Sequence, residues 1–121
     1  MKAVIYSNRN DHAELMSIIC KMPEWCPPHC EFIHLDDYDD LRRSLAADRP
    51  DFIIVYFDGA HGMEACIGIK KITPSTPLIW FSNDRGFGPQ SYRLDCTFFG
   101  IKPASEERLQ SAFQKLMMSQ F

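Results

Sequence analysis

Five short apolar runs punctuate the chain: AVIYS at 3–7, EFIHL at 31–35, FIIVYF at 52–57, PLIWFS at 77–82 and CTFFGI at 96–101. Each is rich in β-branched and aromatic residues and bounded by turn formers, which predicts five strands. The segments between them carry apolar residues at helical spacing. Asp11 stands three residues before Glu14 and ahead of Leu15, Ile18 and Ile19, the pattern of a capping box that opens an amphipathic helix. A second helix is expected to begin at Asp36 and Asp37 and to bury Leu41 and Leu45. A third carries Met63, Cys66 and Ile67. The fourth is short, from about Pro89 to Leu94, behind the glycine-rich RGFG. The last opens near Ser105, with Glu106 and Glu107 where the helix dipole favours anions, and buries Leu109, Phe113 and Leu116.

Strand and helix alternate five times, the pattern of a doubly wound α/β domain: a parallel five-stranded sheet with helices on both faces. The third and fourth runs are continuously apolar, as central strands covered on both faces are. In such sheets the working site lies beyond the carboxyl ends of the strands. That rim gathers Ser7 and Asn8 from strand 1, Tyr56, Phe57 and Asp58 from strand 3, Ser82 and Asn83 from strand 4 and Lys102 from strand 5. It is polar but holds few acids.

Composition narrows the field. The 121 residues are read as one domain, 1–121, with no internal repeat or linker. Thirteen basic against sixteen acidic residues, a net charge of −3, leave no electrostatic footprint for nucleic acid or an anionic membrane. No run approaches the roughly 20 apolar residues that span a bilayer, and the N-terminus turns polar too soon for a signal peptide, so a cytoplasmic location is expected. Five cysteines without regular spacing argue against a secreted disulfide framework, and most are expected to be reduced and buried. Cys26, His29 and Cys30 in WCPPHC are a weak zinc candidate, because zinc wants four ligands and no second pair such as CxxC or HxxxH is present.

RPDFIIVYFD at 49–58, TPLIWFSND at 76–84 and FFGIKPASEERLQSAF at 98–113 carry a more specific signal. A hydroxyl ends strand 4, and a Lys-Pro pair ends strand 5 ahead of a capped helix. The chain thereby resembles the receiver domains of two-component response regulators, and in particular those that precede LytTR-type DNA-binding domains. The resemblance covers nearly the whole chain. It implies a flavodoxin-like sheet in the order 2-1-3-4-5 and a phosphorylatable aspartate ending strand 3. It also implies a Mg²⁺-binding acidic pair after strand 1, a hydroxyl ending strand 4 and a lysine ending strand 5. Ser82 falls on the hydroxyl, Lys102 on the lysine and Phe99 on the aromatic that reorients with the hydroxyl.

Other positions depart from the pattern. Ser7 and Asn8 stand where the acidic pair belongs, and the spacing from Pro50 puts Tyr56 where the phosphoacceptor belongs. The loop from Asp58 to Met63 is about two residues short. An acyl phosphate needs a carboxylate nucleophile, and a phenol with a pKa near 10 is a poor substitute. Without the cation, charge developing on a transferred phosphoryl group loses its main neutralising partner. The expectation is therefore a degenerate, stand-alone receiver-like module, not an enzyme and needing no cofactor. It would act by binding another protein, with homodimerisation through helix 4, strand 5 and helix 5 as one outcome. Asp58 is expected to pair with Lys102. Two alternatives remain: an atypical Mg²⁺-dependent phosphoacceptor receiver using Asp58, and a small flavodoxin-like cofactor or metal binder, although SNRND offers no glycine-rich phosphate cradle after strand 1.

Overall fold

The structure, a computed structural model, describes residues 1–119. Its elements run β1 (Lys2–Ser7), α1 (Arg9–Ile19), β2 (Glu31–Leu35), α2 (Tyr38–Ala47), β3 (Phe52–Tyr56) and α3 (Gly59–Ile72). They continue with β4 (Leu78–Ser82), α4 (Gly88–Arg93) behind a 3-10 turn at Arg85–Phe87, β5 (Phe98–Ile101) and α5 (Glu106–Ser119). All five strands are parallel, in the order β2-β1-β3-β4-β5. The predicted fold class and strand order hold.

Successive strand side chains point to opposite faces, so each central strand feeds two cores. Ile5, Ile54, Tyr56 and Phe81 pack with Leu15, Leu109 and Phe113 under α1 and α5. Tyr6, Ile53, Val55 and Trp80 pack with Leu41, Ala65, Cys66 and Ile69 under α2 and α3. Every residue of β3 and β4 is buried, as the uninterrupted apolar runs predict. No helix among the described residues is long and apolar enough to cross a membrane.

The differences lie at the helix starts. Helix α1 is capped by Asn8, whose side chain accepts from the Asp11 amide, so the box is Asn8 with Asp11 and not Asp11 with Glu14. Helix α3 opens at Gly59, well before Met63, and Gly59 adopts φ +64°, which a glycine tolerates at no steric cost. The short connection leaves α3 so close to the strand end that a Cβ on Gly62 would meet the Phe57 carbonyl oxygen at 2.6 Å. Only Cys66 of the five cysteines is buried; Cys20 is exposed, and Cys26, Cys30 and Cys96 are half-buried. The loops that carry these thiols cover them less than the expectation of mostly buried cysteines assumed.

Candidate functional site

Beyond the carboxyl ends of the strands the chain leaves β5 through a cis peptide bond between Lys102 and Pro103. The Lys102 amide donates to the Ser82 carbonyl at 2.9 Å, which fixes where its side chain departs. That side chain is 8% exposed. Its Nζ lies 2.5 Å from Asp11 Oδ2 and 2.9 Å from Asp58 Oδ1, and 4.6 Å from the centre of the Tyr56 ring. Burial pulls the ammonium toward neutrality, but hydrogen bonds and charges from Asp11 and Asp58 outweigh it and hold its pKa above the ordinary 10.5. The expected Asp58–Lys102 pair is present; its second acid, Asp11, is an addition.

Tyr56 is fully buried beneath this pair. Its hydroxyl accepts a 2.9 Å hydrogen bond from the Ala104 amide, two residues past Lys102. Burial pushes the phenol above its ordinary pKa of 10.0. The side chain at the end of β3 is thus neutral, enclosed and committed to holding the Lys-Pro turn.

Asp11 reaches the site because Asn8 starts α1 early. The Asp11 carboxylate accepts from the Asn8 side-chain amide at 3.1 Å and from Lys102 with the same oxygen. Asp58 occupies the cap position of α3 yet caps nothing, which leaves its carboxylate for Lys102. The neighbouring Gly59 amide donates instead to Asn83 Oδ1 at 3.0 Å, tying the β3–α3 turn to the loop after β4.

The remaining predicted residues make local contacts. The buried Ser7 hydroxyl donates to the Asn8 carbonyl at 3.0 Å and lies 3.2 Å from His34 Nε2. The Ser82 hydroxyl is also buried and accepts from the Asp84 amide at 3.2 Å, capping the following loop. Phe99 packs edge-on against Trp80, with ring centres 5.1 Å apart, on the face of the sheet opposite Tyr56.

The rim holds more acid than the sequence led one to expect. A cleft of about 330 Å³ is lined by Asp11, Glu14, Asp58, Asn83, Lys102 and Pro103, three carboxylates against one ammonium. Mg²⁺ needs near-octahedral oxygens at roughly 2.0–2.1 Å. Here Asp11 and Asp58 both face an ammonium that already supplies positive charge, Asn8 is spent on the helix cap and Ser7 on the backbone. Among the described residues no three His, Cys, Asp or Glu side chains come together in a way that could hold a metal ion. The arrangement does not fit a divalent cation, and the reason is an internal ammonium, not a shortage of acids. At the zinc candidate, Cys26 and Cys30 are half-buried, and among the described residues His29 does not join them in a group of three that could hold a metal ion.

This is the fold of response regulator receiver domains. The regulatory domain of the Klebsiella pneumoniae protein mrkE superposes with a TM-score of 0.79 at 19% identity, over 98% of this chain and 97% of that one. A response regulator receiver protein from Pseudoalteromonas atlantica gives 0.76 at 15% identity, over the full length of both. The receiver domain of Francisella response regulator 1452 gives 0.73 at 16%, over 99% of this chain and 98% of that one. No family model and no curated protein matches the chain.

Sequence reasoning missed Asp11 and Glu14 as rim residues. A readable signal for Asp11 was present, because Asn8-x-x-Asp11 is itself a cap followed three residues later by an acid. It was hidden by the assignment of Asn8 to a metal position.

Proposed function

We propose that the chain is a receiver-like signalling module that works through protein–protein contact without aspartyl phosphorylation and catalyses no reaction of its own. One observation carries this reading: the Lys102 ammonium sits between Asp11 and Asp58, above a sealed Tyr56, the residue that the spacing from Pro50 aligns with the family's phosphoacceptor. A neutral phenol with a raised pKa is a weak nucleophile, and the carboxylates that would hold a cation are neutralised from within. Signal output would pass through α4, β5 and α5, with a protein partner or a second copy as occupant. Support for that face is the six-residue α4, which carries Tyr92 with 88% of its surface exposed.

Asp58 supports a second reading, an atypical phosphoacceptor. Its side chain is 55% exposed and stands at the rim cleft against Lys102, within reach of a small phosphodonor.

Intact-mass measurement after incubation with acetyl phosphate and Mg²⁺ separates the two. No phosphoryl adduct on the wild-type chain is expected. An adduct that disappears in Asp58→Ala and persists in Glu14→Gln would replace the first reading with the second.

A further inference from the structure

On the face of the sheet opposite Tyr56, between the first turns of α2 and α3, lies a cavity of about 250 Å³ lined by Tyr38, His61, Glu64 and Ala65. Two aromatic walls bound it, and both are held in place. The first is Tyr38, which opens α2 and lays its hydroxyl against α3 at Gly68, where a Cβ would collide with it. The Tyr38 ring also meets that of Tyr6 edge-on, with centres 6.4 Å apart. The second wall is His61. Its Nε2 is hydrogen-bonded to the Tyr6 hydroxyl at 2.8 Å, and its ring packs edge-on against Phe57, with centres 4.5 Å apart. Tyr6 is fully buried and backs both walls.

The charge around this cavity has one sign. Its lining contains a carboxylate and neither lysine nor arginine. Tyr38 stands in the middle of DDYDD at 36–40, and three of those four aspartates are paired: Asp36 with Arg9, Asp39 with Arg42 and Asp40 with Arg43. Asp37 caps α2 by accepting from the Asp40 amide, and among the described residues neither it nor Glu64 has a salt-bridge partner. One uncompensated carboxylate therefore lies on the lining and another immediately precedes the Tyr38 wall. The Asp37 charge is felt at the backing residue, where burial and then Asp37 push the Tyr6 phenol up to about 12.

We propose that this cavity is a binding site for the head group of an organic cation, an alkylated ammonium, with Tyr38 and His61 as its walls and Glu64 and Asp37 as its counter-charges. A cation over an aromatic face is attracted by the negative face of the ring, and its alkyl groups suit walls that offer rings and the Ala65 methyl. An anion would meet carboxylates, and the His61 Nε2 is already engaged by Tyr6. A metal ion would want three or more ligating side chains, and no such group of His, Cys, Asp and Glu exists among the described residues. The volume lies below the roughly 300–1,000 Å³ of sites for drug-sized ligands, which suits a head group and excludes a nucleotide or flavin.

The test follows the full chain by NMR, through the amides of His61, Glu64 and Ala65 and the ring protons of Tyr38, during titration with choline. Saturable shifts at these groups are expected at millimolar choline. The uncharged isostere, with a quaternary carbon in place of the ammonium nitrogen, should bind about five-fold or more weakly, because it lacks the attraction to the rings and carboxylates. Glu64→Gln, at an exposed position, should weaken choline binding about three-fold or more by removing one counter-charge. Gly68→Ala should abolish the shifts by displacing the Tyr38 ring while the urea midpoint is kept, since alanine is the better helix former. N-acetyl-trimethyllysine amide is the second probe: tighter binding of it than of choline assigns the site to a protein side chain, and the reverse order to a free small cation. No saturable shift with either probe, equal binding of choline and its isostere, or choline binding unchanged in both Glu64→Gln and Gly68→Ala would overturn the proposal.

Discussion

Replacing Tyr56 with alanine is expected to destabilise the domain by about 3–5 kcal/mol, the cost of deleting a fully buried aromatic side chain and leaving a cavity. The loss has a polar part as well. The Ala104 amide is buried against the Tyr56 hydroxyl and would face that cavity without an acceptor. Tyr56→Phe isolates this part: it keeps the ring that contacts Phe81 and Lys102, removes only the oxygen, and should cost about 1–2 kcal/mol. Urea unfolding of the two variants checks both figures. Equal losses in the two would mean that the hydroxyl, and not the ring, holds the Lys-Pro turn.

Lys102→Met is the second large effect. The ammonium is nearly enclosed, and its removal leaves Asp11 and Asp58 facing each other without a counter-charge. Breaking a fully buried pair costs about 3–5 kcal/mol; because Asp58 is half exposed and partly screened by water, we expect about 2–3 kcal/mol here. Asp11→Asn should cost more than Asp58→Asn, because Asp11 is the less exposed partner and also accepts from Asn8.

The pH dependence follows from the raised Lys102 pKa. Below the unfolded value of 10.5 the lysine is protonated in both states and the pair contributes in full; as pH rises through the higher folded value the contribution is lost. Wild-type stability should therefore fall above about pH 10.5, and Lys102→Met should flatten that decline. Some slope will remain from Tyr6, whose phenol burial pushes up to about 12, so the comparison is between the two curves and not against zero.

The sheet was legible because its signal is local. FIIVY and LIWFS are apolar at every position, and only a strand covered on both faces uses such a run. Lys102 was legible for a similar reason, since Lys-Pro after a fifth apolar run fixes both its element and its end of the sheet. Asp58 could be paired with it because a lysine at a half-buried rim needs a counter-ion. Asp11 could not be placed this way. Its contact with Lys102 spans 91 residues and depends on where the first turn of α1 begins, and helical periodicity fixes the face of a helix better than its first residue. The same uncertainty hid the start of α3 at Gly59: GAHG reads as a loop, and only its close packing against Phe57 makes it the first turn of a helix.

The most direct measurement is a Mg²⁺ titration of the labelled protein followed through the side-chain carboxyl ¹³C signals of Asp11 and Asp58 and the amide of Asn8. An ammonium that already occupies both carboxylates predicts no saturable change at these groups at millimolar Mg²⁺. Saturable shifts confined to Asp11 and Asp58, with release of the Lys102 ammonium from them, would contradict it.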